Sequence, residues 1–247
     1  MNKLNNQSSI LKRPSFACTL VAVLLLATAQ TGAAPFSATK IFIEVNATDG
    51  DAGIQIFLDA EGWTRLEVFD PSGQPVLDFM AKGSGEQQGI TELHLESAEP
   101  SFEDQTLAEL FLLFPAGQYS FKGVTDEGKS LSGKATLSHI LPAGPVIGSP
   151  AEGQVLNAGS PVVIDWEPVT TAFPGSSPGV NVVAYQVIVE QVKPQSVRVF
   201  SITLPSSTTQ VQLPPELIQS NAEYKFEILA IDASGNQTIT ESFFKTQ

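Results

Sequence analysis

The stretch Val162-Val163-Ile164-Asp165-Trp166 decides the fold of this chain. Its apolar side chains alternate with polar ones, which is the pattern of a strand that buries one face. Residues 185–189 and 224–232 repeat the alternation, and each segment opens with a tyrosine. A buried tryptophan on one strand and a tyrosine at the start of a late strand are typical of a two-sheet β-sandwich.

In residues 36–141 apolar residues also recur at every second position, except in one segment where they recur at helical spacing. Apolar residues alternate with polar ones over 41–45, 54–58 and 93–95. Between Glu103 and Phe114 the apolar residues instead recur at helical spacing and stop at Pro115, which predicts one short helix.

The chain is therefore predicted to be all-β, with two immunoglobulin-like β-sandwiches in tandem. The first spans residues 36–141, a linker 142–146 contains two prolines that stop a strand, and the second sandwich spans 147–247. A Tyr-x-Phe pair occurs in both halves, at Tyr119 and at Tyr224, and each pair leads to an acidic turn that contains glycine. This echo favours two related sandwiches, and convergence on a common corner is the alternative.

The second half resembles a fibronectin type III domain over about residues 145–247. The matching residues are Trp166 on the second strand, Tyr185 on the third, Leu217 before the sixth and Tyr224 on the sixth. The loop at residues 170–179 is longer than usual for that family, and the chain contains no Arg-Gly-Asp triplet that would support integrin-type adhesion. The resemblance implies a spacer, an adhesive module or a companion of polysaccharide-degrading enzymes in an exported bacterial protein.

The amino-terminal residues are predicted to be a cleaved signal peptide over residues 1–29. Three basic residues precede an apolar run of about 12 residues, where a membrane span needs roughly 20. Ala27-Thr28-Ala29 is the expected cleavage site, and a second candidate ends at Ala34. Cleavage removes Cys18, the only cysteine, and leaves a secreted or periplasmic protein without disulfides or a transmembrane anchor. A bacterial source is expected.

The mature chain is strongly acidic. The full sequence has 13 basic and 26 acidic residues, and the signal peptide takes three of the basic ones, which leaves a net charge of about −16. This charge opposes binding to nucleic acid phosphates and to anionic membrane surfaces, so no nucleic acid partner is expected. It is compatible with cationic partners and divalent ions, or simply with solubility.

No reactive constellation is evident in the sequence. His94 is expected in solvent, and His139 is expected to be partly packed near the linker; two distant histidines without cysteine do not make a zinc site. No Gly-x-Ser-x-Gly elbow occurs, and Gly83-Ser84-Gly85 is interpreted as a loop. We expect no catalytic residues and no cofactor, although a pair of carboxylates far apart in sequence stays open.

Calcium is the one ion that the sequence suggests. Asp49 and Asp51 lie at the first hairpin of the first sandwich, near Asn46, and oxygen ligands are what calcium requires. The spacing is not that of an EF-hand. The alternative is an ordinary Asp-Gly hairpin turn with solvated carboxylates.

Candidate binding residues lie on loops. Phe173 is the aromatic of the 170–179 loop, and Asp232 and Asn236 belong to the last hairpin, which is expected at the same end of the sandwich. Trp63 shares the parity of polar neighbours and is a candidate for stacking on a sugar ring. The alternatives are that the loop is flexible filler and that Trp63 packs in the core.

These observations predict a non-catalytic exported protein that serves as an extracellular or cell-surface interaction or structural module. Its partner would be a protein or a polysaccharide. The second hypothesis is a carbohydrate-binding or calcium-dependent accessory module, and the third is a hydrolase that uses two carboxylates.

Overall fold

The computed structural model describes residues 33–247. The predicted signal peptide, its first cleavage site and Cys18 lie outside the described residues. From Ala33 to Gln247 the chain forms one unit. Among the residues described, no helix has the length and apolar composition needed to cross a membrane.

The first half contains seven strands and two short α-helices. In chain order these are β1 (Ala34–Pro35), β2 (Ala38–Asn46), β3 (Asp51–Phe69), β4 (Pro75–Met80), α1 (Ser84–Gln88), β5 (Ile90–Glu96), α2 (Leu107–Leu113), β6 (Gly117–Thr125) and β7 (Ser130–Leu137).

The predicted helix is confirmed as α2, and its sequence explains where it begins. The Thr106 side chain accepts from the main-chain N–H of Glu109, whose carboxylate accepts in return from the N–H of Thr106. This capping box satisfies donors that the first turn leaves unpaired. Helix α1 differs from the expectation of a loop at Gly83-Ser84-Gly85, because its five residues, Ser-Gly-Glu-Gln-Gln, include no apolar residue that would indicate a helix.

The second half contains eight strands and one 3-10 turn (Pro215–Leu217). The strands are β8 (Ile147–Ser149), β9 (Gln154–Leu156), β10 (Val163–Trp166), β11 (Val182–Lys193), β12 (Val199–Pro205), β13 (Gln210–Gln212), β14 (Glu223–Asp232) and β15 (Gln237–Thr246).

Two sheets form the second sandwich. One has the order β13-β10-β8, and the other has β15-β14-β11-β12. The segment that carries β8 and β9 divides between them, since β8 pairs with β10 while β9 pairs with β15. Trp166 and Tyr185 are buried and meet edge to face, with ring centroids 5.3 Å apart. The sandwich predicted from the Trp166 strand is thus confirmed.

The first sandwich is organised by the long strand β3. Residues 55–59 of β3 pair with β2 and β5, whereas residues 65–69 pair with β4 and β6, so that β3 passes from one sheet to the other. Strand β7 follows β6 and pairs in parallel with β1. The core between the sheets includes Ile43, Ile54, Leu58 and Leu66, all of them buried. The first sandwich of the predicted pair is thus confirmed as well.

Both halves contain a tyrosine corner, which confirms the geometry that the Tyr-x-Phe echo predicts. The Tyr224 hydroxyl donates to the Leu217 carbonyl at 3.0 Å, and the Tyr119 hydroxyl donates to the Pro115 carbonyl at 3.1 Å. Both rings are fully buried. In each half, the hydroxyl fixes the chain just before the strand while the ring fills the core.

Candidate functional site

The two sandwiches share a sheet. Strand β15 of the second half pairs in parallel with β2 of the first, with Gln237 opposite Glu44, Thr238 opposite Val45 and Ile239 opposite Asn46. The main-chain N–H of Ala47 continues the pairing by donating to the Ile239 carbonyl at 2.9 Å. Within one 12-stranded sheet, seven strands from the two sandwiches therefore pair in the continuous order β5-β3-β2-β15-β14-β11-β12, which is called the shared sheet below.

Asn236 lies at the start of this shared pairing and is completely buried. Its side-chain oxygen accepts from the N–H of Ile43 at 2.8 Å. Its amide nitrogen donates to the carbonyls of Ser138 and Ile140, at 2.8 and 2.7 Å. One side chain of the second half thus satisfies three main-chain groups of the first. A buried amide satisfied in this way fixes geometry, because any displacement leaves polar groups unpaired.

The predicted linker is held against both halves. The Thr238 hydroxyl donates to the Pro142 carbonyl at 2.7 Å. At Gly144, a Cβ atom would lie 2.7 Å from Cβ of Ala47 and 2.8 Å from Oγ1 of Thr240. A glycine is required at this position because the linker runs directly over the junction of β2 and β15.

The 170–179 loop packs on the first half, which differs from the expectation of an exposed aromatic. Phe173 is half-buried, packs against the first core and lies 5.9 Å from Phe102 between ring centroids. Its N–H donates to the Leu141 carbonyl, and the N–H of Ser177 donates to the His139 carbonyl. The length of this loop serves contact between the halves, and a ligand does not meet Phe173 at an open surface.

Asp232 and Asn236 lie at the same end of the sandwich as this loop, but both are buried. The Asp232 carboxylate accepts from the main-chain N–H groups of Asn181 and Ser234, at 2.6 and 2.8 Å. These bonds fix the last hairpin against the start of β11. The two residues therefore occupy structural positions, where the sequence suggested exposed binding positions.

Trp63 is in the core and does not offer a face for a sugar. It is fully buried and meets Phe79 edge to face at 5.6 Å. The pairing of β3 shifts register on both sides of Trp63, towards β5 and towards β6. Such bulges reset the alternation of side chains, so the parity shared with Arg65 does not place Trp63 on the outer face.

A cluster of carboxylates lies on the outer face of the shared sheet. Oxygen atoms of Glu44, Glu96 and Glu99 all lie within 4.8 Å of one another. Glu44 comes from β2, Glu96 from the end of β5, and Glu99 from the segment that follows β5. Gly53 of β3 makes room for them, because a Cβ there would lie 2.7 Å from Cγ of Glu99.

The pKa values of Glu44 and Glu99 are raised in this cluster. Burial, with repulsion from Glu96, Asp51 and Glu44, raises the pKa of Glu99 to about 7. Burial also raises the pKa of Glu44, although the Gln237 amide that donates to it acts in the opposite direction. At neutral pH, Glu99 is therefore partly protonated, whereas an ordinary glutamate would be fully ionised.

The two predicted calcium ligands take different positions. Asp49 accepts from the Asn46 side chain at 3.1 Å and belongs to the hairpin turn. Asp51 lies closer to the cluster; burial and repulsion from Asp49 and Glu241 raise its pKa, and its Oδ1 atom is buried without a hydrogen-bond partner. Asp51 with the three glutamates is thus the group of oxygens that a divalent cation would meet.

Unequal carboxylates are also what an acid and base pair requires, so the third hypothesis would place its chemistry here. Glu96, however, is exposed on an open sheet face. Five surface cavities of about 240–490 Å³ are lined by other residues. Proton exchange and cation attraction are the chemistry that this arrangement supports.

Both histidines lie where the sequence places them. His94 is exposed beside Glu92 and Glu96. His139 is half-buried, stacks on Phe111 with centroids 3.9 Å apart, and its Nε2 contacts the Phe114 carbonyl at 2.9 Å.

Comparisons with known proteins give the same kind of fold at low similarity. No protein-family model and no curated protein matches the chain. Solved structures that overlap it include a two fibronectin type III domain segment from chicken tenascin, at 14% identity and a TM-score of 0.30 over 85% of this chain and 98% of that one. The FN1-FN3 domains of chicken CNTN1 overlap at 12% identity and a TM-score of 0.34, and a bacterial ice-binding adhesin at 13% and 0.29.

The overlap covers 86% of this chain for CNTN1 and 87% for the adhesin, and the chain spans 65% of the length of each of those two structures. At these TM-scores the overlap carries no argument about function. The second half itself has the two-sheet sandwich, the Trp166 core and the Tyr224 corner that its resemblance to a fibronectin type III domain implies.

Replacement of Asn236 by alanine is expected to lower the free energy of unfolding by about 2–4 kcal/mol, because one N–H and two carbonyls lose their partner in a buried position. Chemical denaturation followed by tryptophan fluorescence measures this loss. The control is Asn157→Ala, which removes one local bond from an exposed residue and is expected to cost less than about 1 kcal/mol. Equal losses in the two variants would contradict the role of Asn236.

Replacement of Glu99 by glutamine is expected to stabilise the protein at pH 8 and to change little at pH 4. The pKa of Glu99 is higher in the folded chain than its ordinary value of 4.5, so stability falls as the pH rises from about 4.5 to about 7. Glutamine removes that loss, which is on the order of 1 kcal/mol after solvent screening.

Denaturation curves at both pH values test this expectation. Glu103→Gln, at an exposed position, is the control and should leave stability unchanged at either pH. A stabilisation by Glu99→Gln of equal size at pH 4 and pH 8 would rule out titration of Glu99 as its origin.

Proposed function

We propose that this chain is a non-catalytic exported module that holds two β-sandwiches at a fixed relative position, as a structural and interaction element outside the cytoplasm. The observation that carries the proposal is the parallel pairing of β2 with β15, fixed by Asn236. A flexible tandem would join its domains only through the linker. Here, main-chain bonds, a buried amide and a packed loop all cross the junction.

The residues nearest the junction support a structural role. Phe173, Asp232 and Asn236 are each buried or half-buried by protein contacts there, and Trp63 is buried in the core of the first half. Surfaces that face solvent are then the acidic outer face of the shared sheet and the strand edges. The acidity of the chain favours a protein partner with a basic surface over an anionic polymer.

The proposal is tested by the distance between spin labels placed in the two halves. Gln74 and Ser220 are exposed, and replacement of each by cysteine in the chain that begins after the predicted signal peptide gives two labelling sites with no other cysteine. Double electron–electron resonance is expected to give one narrow distance distribution. The control is the same pair in an Asn236→Ala, Thr238→Val chain, which is expected to broaden it.

A broad distribution in the parent chain would overturn the rigid module, and singly labelled chains identify any distance that arises between molecules. The hydrolase hypothesis is tested separately, by an activity assay. Turnover of a glycan or ester panel that disappears in Glu99→Gln would contradict the non-catalytic assignment.

The second candidate function, a calcium-dependent accessory module, has support in the mutual proximity of Glu44, Glu96 and Glu99, and in Asp51, whose charge acts on Glu99. Thermal melts with calcium and with chelator separate it from the first. A higher Tm with calcium that is lost in Glu99→Gln, but not in Glu103→Gln, would favour the calcium-dependent module. Equal midpoints would remove it.

A further inference from the structure

Strand β12 forms one end of the seven-stranded shared sheet. It pairs with β11 along its full length, from Val199 opposite Glu190 to Pro205 opposite Ala184, without a register shift. Its other edge has no strand beside it among the described residues. Main-chain donors and acceptors on such an edge are available to another strand.

The features that normally prevent an edge strand from pairing with another chain, such as charged residues and short length, are not found in β12. Strand β5, at the opposite end of the sheet, carries Glu92 and Glu96, and strands β8 and β13 have only three residues each. By contrast β12 has seven residues, Val-Phe-Ser-Ile-Thr-Leu-Pro, with no charge and with proline only at its last position. Val199, the first residue of β12, is 54% exposed, and Val197, two residues before it, is 99% exposed.

The sequence of β12 is nearly symmetric in its chemistry about Ile202. A hydroxyl residue lies on each side of it, Ser201 and Thr203. The next pair outward consists of the large apolar residues Phe200 and Leu204. The outermost pair consists of Val199 and Pro205. An antiparallel pair of identical strands centred on Ile202 would therefore place hydroxyl residues opposite hydroxyl residues and apolar residues opposite apolar residues.

We propose that β12 pairs with β12 of a second copy of this chain, across a two-fold axis at Ile202. Ser201 of one copy faces Thr203 of the other, and such hydroxyl pairs stabilise antiparallel strands. Phe200 and Leu204, which are half-buried against the second core, meet on the inner face. A two-fold interface of this kind is self-complementary and closed, so that it yields a dimer.

Charge favours pairing through β12 over other contacts between two copies of this chain. With about −16 on each mature chain, contact between acidic faces is repulsive. Strand β12 is uncharged, and Arg198 at its amino-terminal end would lie beside Ser206 of the second copy. The edge is thus where two copies approach without juxtaposing like charges.

The inference does not depend on the proposed function, and sedimentation equilibrium of the mature chain over a range of concentrations tests it. The parent chain is expected to dimerise reversibly. Two double variants change the exposed hydroxyl residues of β12: Ser201→Glu with Thr203→Glu, and Ser201→Lys with Thr203→Lys. Each is expected to weaken the dimer by more than about tenfold, because like charges then face each other across the axis.

An equimolar mixture of the two variants is expected to form a heterodimer, since each glutamate then faces a lysine. This recovery also shows that both variants are folded. The matched control, Ser130→Glu with Ser132→Glu on the exposed face of β7, should leave the dimer of the parent chain unchanged.

A parent chain that stays monomeric at all concentrations would overturn the proposal. Dimers of the all-glutamate β12 variant as strong as those of the parent would do the same, because they would place the interface elsewhere. Failure of the mixture to pair would exclude the register centred on Ile202.

Discussion

Main-chain pairing between β2 and β15, with the Asn236 amide buried beside it, is the constraint on which the rest of the molecule depends. Parallel pairing of strands from two sandwiches turns two separate sheets into one. Because a buried amide with three main-chain partners leaves no low-cost alternative position, the junction has one geometry. The linker at Gly144 and the loop at Phe173 then pack around a junction that is already defined.

This junction decides which surfaces are left for function. Loops at one end of a sandwich are a common place for binding sites, and here that end faces the first sandwich. The long loop and the last hairpin contribute to stability, while the outer sheet face gathers carboxylates, of which Glu99 has a pKa raised to about 7. The free edge of β12 lies at the far end of the same sheet, so that pairing there would extend a surface already shared by both halves.

The sequence predicts the sandwiches well, since alternation, the Trp166 strand and the two tyrosine corners are local patterns imposed by burial. It fails where a residue's position depends on pairing between strands that are distant in the sequence. A bulge moved Trp63 into the core against its parity, and nothing local distinguishes Asn236 from an ordinary hairpin asparagine. Glu96 and Glu99 meet Glu44 only because β3 lies between β2 and β5, which no short motif encodes.

Differential scanning calorimetry of residues 33–247 tests the central claim most directly. A shared sheet couples the two cores, and the chain is predicted to unfold in one transition with equal calorimetric and van't Hoff enthalpies. Two resolved transitions, each with the enthalpy expected for about 100 residues, would contradict the account, because they would mean that the sandwiches fold independently.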